Sequence, residues 1–164
     1  MLAVRRASAD DLDAVRQLLH DTWHATYDAT MGFEAVNDIT SRWHSVENLS
    51  RQLGDPKGCF LVAENRDGTI VGHAGAVRKS AEVLSLARLY VLPGWQGGGV
   101  GTALLASVLN WAGQGTTIEL EVETTNTPAI GFYQKHGFAG DGQQVQCGGD
   151  PAAGQAIVMK RRVS

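Results

Sequence analysis

Leu89-Tyr90-Val91-Leu92-Pro93-Gly94-Trp95-Gln96-Gly97-Gly98-Gly99-Val100-Gly101 is the stretch from which the rest of the chain can be ordered. An apolar strand-like run is stopped by Pro93 and followed by a glycine-rich turn. Val100, Leu104, Val108 and Trp111 then recur on one face of a helix. The first amides of a helix lack partners within it and point outward at the positive end of the macrodipole. Glycines allow a phosphate to come close to those amides. The stretch is therefore a candidate phosphate or pyrophosphate cradle. The alternative is a tight turn that only needs small residues.

Two other cradles fail by register. A nucleoside-triphosphate loop needs Gly-x-x-x-x-Gly-Lys-Ser/Thr, and no lysine lies between Val83 and Gly131. A dinucleotide loop needs Gly-x-Gly-x-x-Gly. Starting at Gly97 that pattern meets Thr102, and starting at Gly99 it meets Leu104.

Upstream, Leu2–Arg6 reads as a short strand. Ser8-x-x-Asp11 resembles a capping box with Asp in place of Glu, opening a helix over about 9–27 through Leu12, Val15, Leu18, Leu19 and Trp23. A second amphipathic stretch carries Trp43, Val46, Leu49 and Leu53 on one face and stops at Gly54-x-Pro56. Cys59–Glu64 and Thr69–Val77 read as strands about an Asp67-Gly68 hairpin, and Val83–Leu92 as the next strand. Downstream, the glycine-loop helix ends at Gly113 or Gly115, and Ile118–Val122 is a strand. Thr127 can cap a helix with Pro128 at its first position, stopped by Gly137. Phe138 onward and Ala156–Lys160 close the order as two strands. The result is a mixed α/β sheet in a single domain over residues 1–164, with no linker or repeat to divide it.

Composition narrows the function classes. Lys and Arg number 14 against 17 Asp and Glu, a net charge of −3, so there is no basic footprint for nucleic acid or an anionic membrane. The start has no signal-peptide core, and no apolar run approaches the ~20 residues of a membrane span. Cys59 and Cys147 stand in unrelated contexts and read as reduced thiols of a cytoplasmic protein. His20 and His24 are spaced i, i+4 on one helix, but no third ligand accompanies them, so no metal is expected.

Gln96-x-x-Gly99-x-Gly101 fits the Arg/Gln-x-x-Gly-x-Gly/Ala signature of the GNAT acetyltransferase superfamily. Leu89-Tyr90-Val91-x-Pro93 looks like that family's fourth strand, and Asn126-x-x-Ala129-x-x-x-Tyr133-x-x-x-Gly137-Phe138 resembles its second signature. The element order is similar over nearly the whole chain. The resemblance implies the acyl-CoA N-acyltransferase fold, a mixed, mostly antiparallel sheet of about seven strands flanked by about four helices.

It also implies roles. Acetyl-CoA is the expected co-substrate and no metal is needed. Its pyrophosphate would rest on the amides of Gln96, Gly97, Gly98, Gly99, Val100 and Gly101, and its pantetheine arm would run along the main chain of Leu89, Tyr90 and Val91. Gly97 and Gly98 stand where the family usually has Arg or Lys, and the nearest upstream cation is Arg88. The phosphates would then rely on amides and the helix dipole, and a non-catalytic acyl-CoA-binding or sensing module remains the rival reading. Asn126 is either a contact of the cofactor arm or a cap before Pro128.

Tyr133 falls on the tyrosine that protonates the departing thiolate, or is an ordinary buried tyrosine. Glu119, Glu121 and Glu123 alternate on one strand and share a face. Glu121 lies where ribosomal-protein N-terminal alanine acetyltransferases have their base; Glu82 is the second candidate, and a solvated strand face is the alternative. Trp23 and Tyr27 would line the acceptor pocket, while Trp43 reads as core. The expected acceptor is a primary amine of a small molecule or a peptide, acetylated by direct attack in a ternary complex. Family members are often dimers, so a homodimer is compatible with the resemblance.

Overall fold

The computed structural model describes residues 2–164. Seven strands form one sheet in the order β1-β2-β3-β4-β5-β7-β6. They are β1 Ala3–Arg6, β2 Gly58–Glu64, β3 Ile70–Arg78, β4 Val83–Val91, β5 Thr117–Glu123, β6 Ala139–Gln146 and β7 Gln155–Arg162. Every pairing is antiparallel except β4 with β5. Five helices flank the sheet: α1 Leu12–Met31, α2 Phe33–Trp43, α3 Val46–Leu53, α4 Val100–Ala112 and α5 Thr127–Lys135. None of them is long and apolar enough to cross a membrane.

The first helical region differs from the sequence expectation. A 3-10 turn over Ala9–Asp11 precedes α1, which runs on to Met31. The Asp11 carboxylate accepts from the Ser8 amide at 2.8 Å, the back-reaching half of the expected capping box. Arg5 also pairs with Asp11, at 2.8 Å, tying β1 to the helix start. Gly32, at φ 91, breaks the chain between α1 and α2. The expected single stretch through Trp43 and Leu53 is two helices, because His44 leaves helical geometry and the Ser45 hydroxyl accepts from the Asn48 amide at 3.1 Å, capping α3. At α5 the cap is Asn126 rather than Thr127: its side chain accepts from the Ala129 amide at 3.3 Å.

The sheet separates two apolar layers. On one face α4 and α5 cover Leu84, Leu86, Ile118, Leu120 and Met159. On the other, α1 and α3 bury Leu18, Leu19 and Leu49 against Phe60 and Val62. Trp23, Tyr27, Val36 and Ile39 continue that second layer between α1 and α2. Burial of these side chains on both faces removes apolar surface from water and anchors the strands from which the site is built.

Candidate active site

β4 and β5 pair only over Val83↔Thr117, Leu84↔Ile118 and Ser85↔Glu119. Just beyond, β4 slips register against β3, from Ala76↔Leu86 to Gly75↔Arg88, leaving Ala87 as an extra residue. A bulge of this kind bends and twists its strand. The two parallel strands diverge after it and open a cleft of about 1490 Å³. All three tyrosines of the chain, Tyr27, Tyr90 and Tyr133, line that cleft.

The glycine turn forms one end. Gly97 and Gly99 have φ of 83 and 88, the left-handed region where a Cβ is strained, and open space lies in front of both. Gly99 is the N-cap residue of α4 and supplies no side-chain cap, so the leading amides of a 13-residue helix have no side-chain partner. Gln96, Gly97, Gly99 and Gly101 line the cleft, as do Leu89, Tyr90, Val91 and Asn126. Gly98 and Val100 do not; Val100 is buried against the sheet, so only its main chain is left for a ligand. From Leu86 onward, the edge of β4 facing β5 has no strand partner, which suits an extended arm with amides of its own. These features fit coenzyme A: a bare amide cradle for its pyrophosphate and a free strand edge for its pantetheine.

Alternation along the strands assigns the faces. Leu89 and Val91 pack on the α4 side, whereas Tyr90 packs against the α1 side. Arg88 shares that second face, its guanidinium 5.6 Å from the Phe60 ring centre. Ile118, Leu120 and Val122 occupy the α4 side of β5, which leaves Glu119, Glu121 and Glu123 on the face of Arg88 and Tyr90. Arg88 thus points away from the glycine turn and cannot supply it with a cation.

Of the three glutamates, Glu119 and Glu121 line the cleft. Glu121 accepts from the Gly148 amide at 2.9 Å. Glu123 is buried and turned to the local backbone, accepting from the Thr125 amide at 2.8 Å and from the Thr125 hydroxyl. Glu82 is exposed at the head of β4 and lies outside the cleft lining. Tyr133 is buried between Phe132 and Phe138, with ring centres 5.4 and 5.5 Å away. Burial pushes its phenol above the ordinary range, so it keeps its proton at any working pH. Burial also pushes Tyr90 up, to about 12.

At the far end Trp23 and Tyr27 are nearly enclosed but both border the cleft, their rings tilted to each other with centres 4.7 Å apart. The Asn126 side-chain amide donates to the Tyr27 hydroxyl at 3.1 Å, so Asn126 both caps α5 and ties it to α1. Half-buried Trp43 also borders the cleft. His20 and His24 each pair with an aspartate of α1, at 3.3 and 2.6 Å, and no group of three or more metal-ligating side chains is assembled among the described residues.

Sequence reading weighed Arg88 only as a cation upstream of the glycine turn and missed His73 and His44; on the α1 side Arg88 and His44 line the cleft, with His73 buried behind Arg88. Arg88 donates from Nε to His73 Nε2 at 3.0 Å, and His73 Nδ1 donates to the Leu61 carbonyl at 2.8 Å. Burial lowers Arg88 to about 10 and, with the Arg88 charge beside it, lowers His44 to about 3. The only local signal was a cation and a phenol alternating with Leu89 and Val91 in an apolar strand.

Residues 12–138 match the Acetyltransferase (GNAT) family. An uncharacterised N-acetyltransferase of Mycobacterium bovis is 36% identical over 96 residues, covering 57% of this chain and 61% of that protein. The N-alpha-acetyltransferase RimI of Mycobacterium tuberculosis is 34% identical over 93 residues, 55% of this chain and 58% of its own length. The matches thus span less than two thirds of either relative. The PaiA N-acetyltransferase of Thermoplasma acidophilum, solved with coenzyme A, superposes with a TM-score of 0.86 over 99% of both chains at 21% identity, a likeness of fold. With the two glycine-loop and Asn-to-Tyr signatures now seen on one cleft, the chain belongs to the GNAT family of acetyltransferases.

Proposed function

We propose that this chain moves the acetyl group of acetyl-CoA to a primary amine by direct attack in a ternary complex. The observation that carries the reading is the cleft through the β4–β5 divergence. It has the amide cradle and Tyr133 toward the α4–α5 side, and Glu121 on the α1 face. Donor and acceptor can then approach one carbon from opposite faces of the sheet, which is the geometry that direct transfer requires.

The bound co-substrate supplies an acyl carbon joined to a good leaving sulfur. Glu121 takes a proton from the ammonium of the acceptor, freeing its lone pair. As the C–N bond forms and the C–S bond breaks, Tyr133 gives its proton to the sulfur; the acylated nitrogen sheds its second proton, which passes through water to restore the phenol, and Glu121 releases the first to solvent. The amides at the start of α4 hold the pyrophosphate and fix the distance from there to the reacting carbon. Asn126 keeps α5, and with it Tyr133, against α1 through Tyr27. The free thiols of Cys59 and Cys147 suit a reducing compartment, and we place residues 1–164, read as one domain, in the cytoplasm.

Thiol release from acetyl-CoA over a broad panel of primary amines tests the proposal. Amine-dependent release supports it. Tight coenzyme A binding with no release for any amine would favour a sensing module instead.

A further inference from the structure

Arg88 is a buried cation with no counter-charge. It is 8% exposed, and among the described residues no carboxylate forms an ion pair with it. Its hydrogen bond within the protein uses Nε alone. Among the described residues neither Nη nitrogen has a partner, and neither is sealed from the cleft that Arg88 lines. Buried charges are ordinarily paired, because desolvation without compensation is costly.

The guanidinium is also held in place. Gly75 faces Arg88 across the β3–β4 pair, and a Cβ there would stand 2.5 Å from Nη2 and 3.0 Å from Cζ. The plane lies over a bare glycine and beside the Phe60 ring. His73 must carry its hydrogen on Nδ1, since the Leu61 carbonyl can only accept, so its Nε2 is left to receive Arg88 Nε–H. Burial and the Arg88 charge lower His73 well below its ordinary value, which keeps it neutral for that task. One edge of the fork is thereby tied down and the Nη pair is left for a ligand. His44 adds a second polar group with an unpartnered, enclosed Nδ1.

Opposite charge stands across the gap. From the last paired residues, Ser85 and Glu119, Arg88 is three residues on and Glu121 two. Allowing for the bulge at Ala87, the two reach the same level on diverging strands, on the same face of the sheet. A cation fork on one wall and carboxylates on the other match a molecule carrying both charges.

We infer that the acceptor is a small aminocarboxylate, such as a free amino acid, whose carboxylate seats on the Arg88 guanidinium while its amine faces Glu121. This rests on the acetyltransferase reading and gives the substrate class for it. A planar, pre-organised fork favours a carboxylate over a spherical anion, and a polycation such as spermidine has nothing to place against it.

The test uses matched probes: free amino acids, their carboxamides, the corresponding 1-aminoalkylphosphonates, and spermidine. Thiol release at saturating acetyl-CoA gives kcat/KM, and calorimetry on the coenzyme A-bound protein gives affinity without chemistry. The acids should exceed their amides by about 10- to 100-fold in the wild type. In Arg88→Gln the acid-to-amide ratio should fall to near one, and Arg88→Lys should recover part of it, with thermal unfolding checked for both. Equal use and equal binding of acids and amides by the wild type overturns the inference, while the amine acetyltransferase reading survives. Preferred phosphonates also overturn the carboxylate assignment. Discrimination in calorimetry with no thiol release sustains the Arg88 site and overturns the enzyme reading instead.

Discussion

The Glu121 carboxylate on β5 accepts a hydrogen bond from the backbone amide of Gly148, 27 residues further along the chain, at 2.9 Å. The contact ties the glutamate to the loop between β6 and β7. That loop also passes beneath Trp43, whose ring would lie 2.7 Å from a Cβ placed on Gly148. One oxygen of Glu121 is therefore anchored, and the other has no hydrogen-bond donor among the described residues.

Glu121→Gln keeps an oxygen for the Gly148 amide and removes the ability to take a proton. Turnover should fall by about 10²–10⁴-fold while coenzyme A affinity holds. Glu82→Gln should behave as wild type, because Glu82 is exposed outside the cleft. Steady-state kinetics on both variants decide the matter: a fast Glu121→Gln beside a slow Glu119→Gln would move the base to Glu119.

Tyr133→Phe deletes one hydroxyl and leaves the ring packed between Phe132 and Phe138. Folding and coenzyme A binding should persist. The chemical step should slow by about 10²–10⁴-fold, read as single-turnover acetyl transfer. Wild-type speed would return Tyr133 to a packing role.

Gly99 sits at φ 88 with open space before it. Gly99→Ala should cost about 1–2 kcal/mol of stability from left-handed strain. Gly99→Glu adds bulk and negative charge where the phosphates would rest. Coenzyme A affinity, measured by calorimetry on protein that still unfolds cooperatively, should be lost in the Glu variant and only weakened in the Ala variant. Unchanged affinity in Gly99→Glu would place the cofactor elsewhere.

His44 and His73 set an acid limit on stability. Burial is the main cause in both: it lowers His44 to about 3 and His73 well below its ordinary 6.5. Above the unfolded value of about 6.5 both states hold these rings neutral. As pH falls below it, the unfolded chain takes up protons that the folded chain refuses, so stability drops toward pH 3. Each histidine contributes up to about 1.4 kcal/mol per pH unit to that slope. Urea unfolding from pH 7 to 4 should show the decline, and His44→Gln should make it shallower. An unaltered slope would mean that His44 is accessible to protons in the folded state.

Much of this architecture is legible in local patterns. The strand, the proline stop, the glycine turn and the helix face of Val100, Leu104 and Val108 lie within one short stretch. Asp67-Gly68 marks the β2–β3 turn, and Asn126 through Tyr133 marks a capped helix. Periodicity and caps report how neighbouring residues share a face, and those interactions are short in sequence.

Other features arise only when distant segments meet. The bulge at Ala87 depends on how β4 registers against β3, and it decides that the parallel pair opens after Ser85. Glu119, Glu121 and Glu123 alternate identically in the sequence. Glu123 turns to Thr125 only two residues on, whereas Glu121 is held by Gly148 because β7 lies beside β5 and brings the 147–154 loop near the cleft. Arg88 reads locally as a cation in an apolar strand. Its burial, its glycine bed at Gly75 and its bond to His73 come from cross-strand pairing over 15 residues or fewer, and its lack of a counter-ion among the described residues from everything packed above it. Local sequence encodes which faces are apolar; which polar group is left unpaired inside is a property of the whole packed chain.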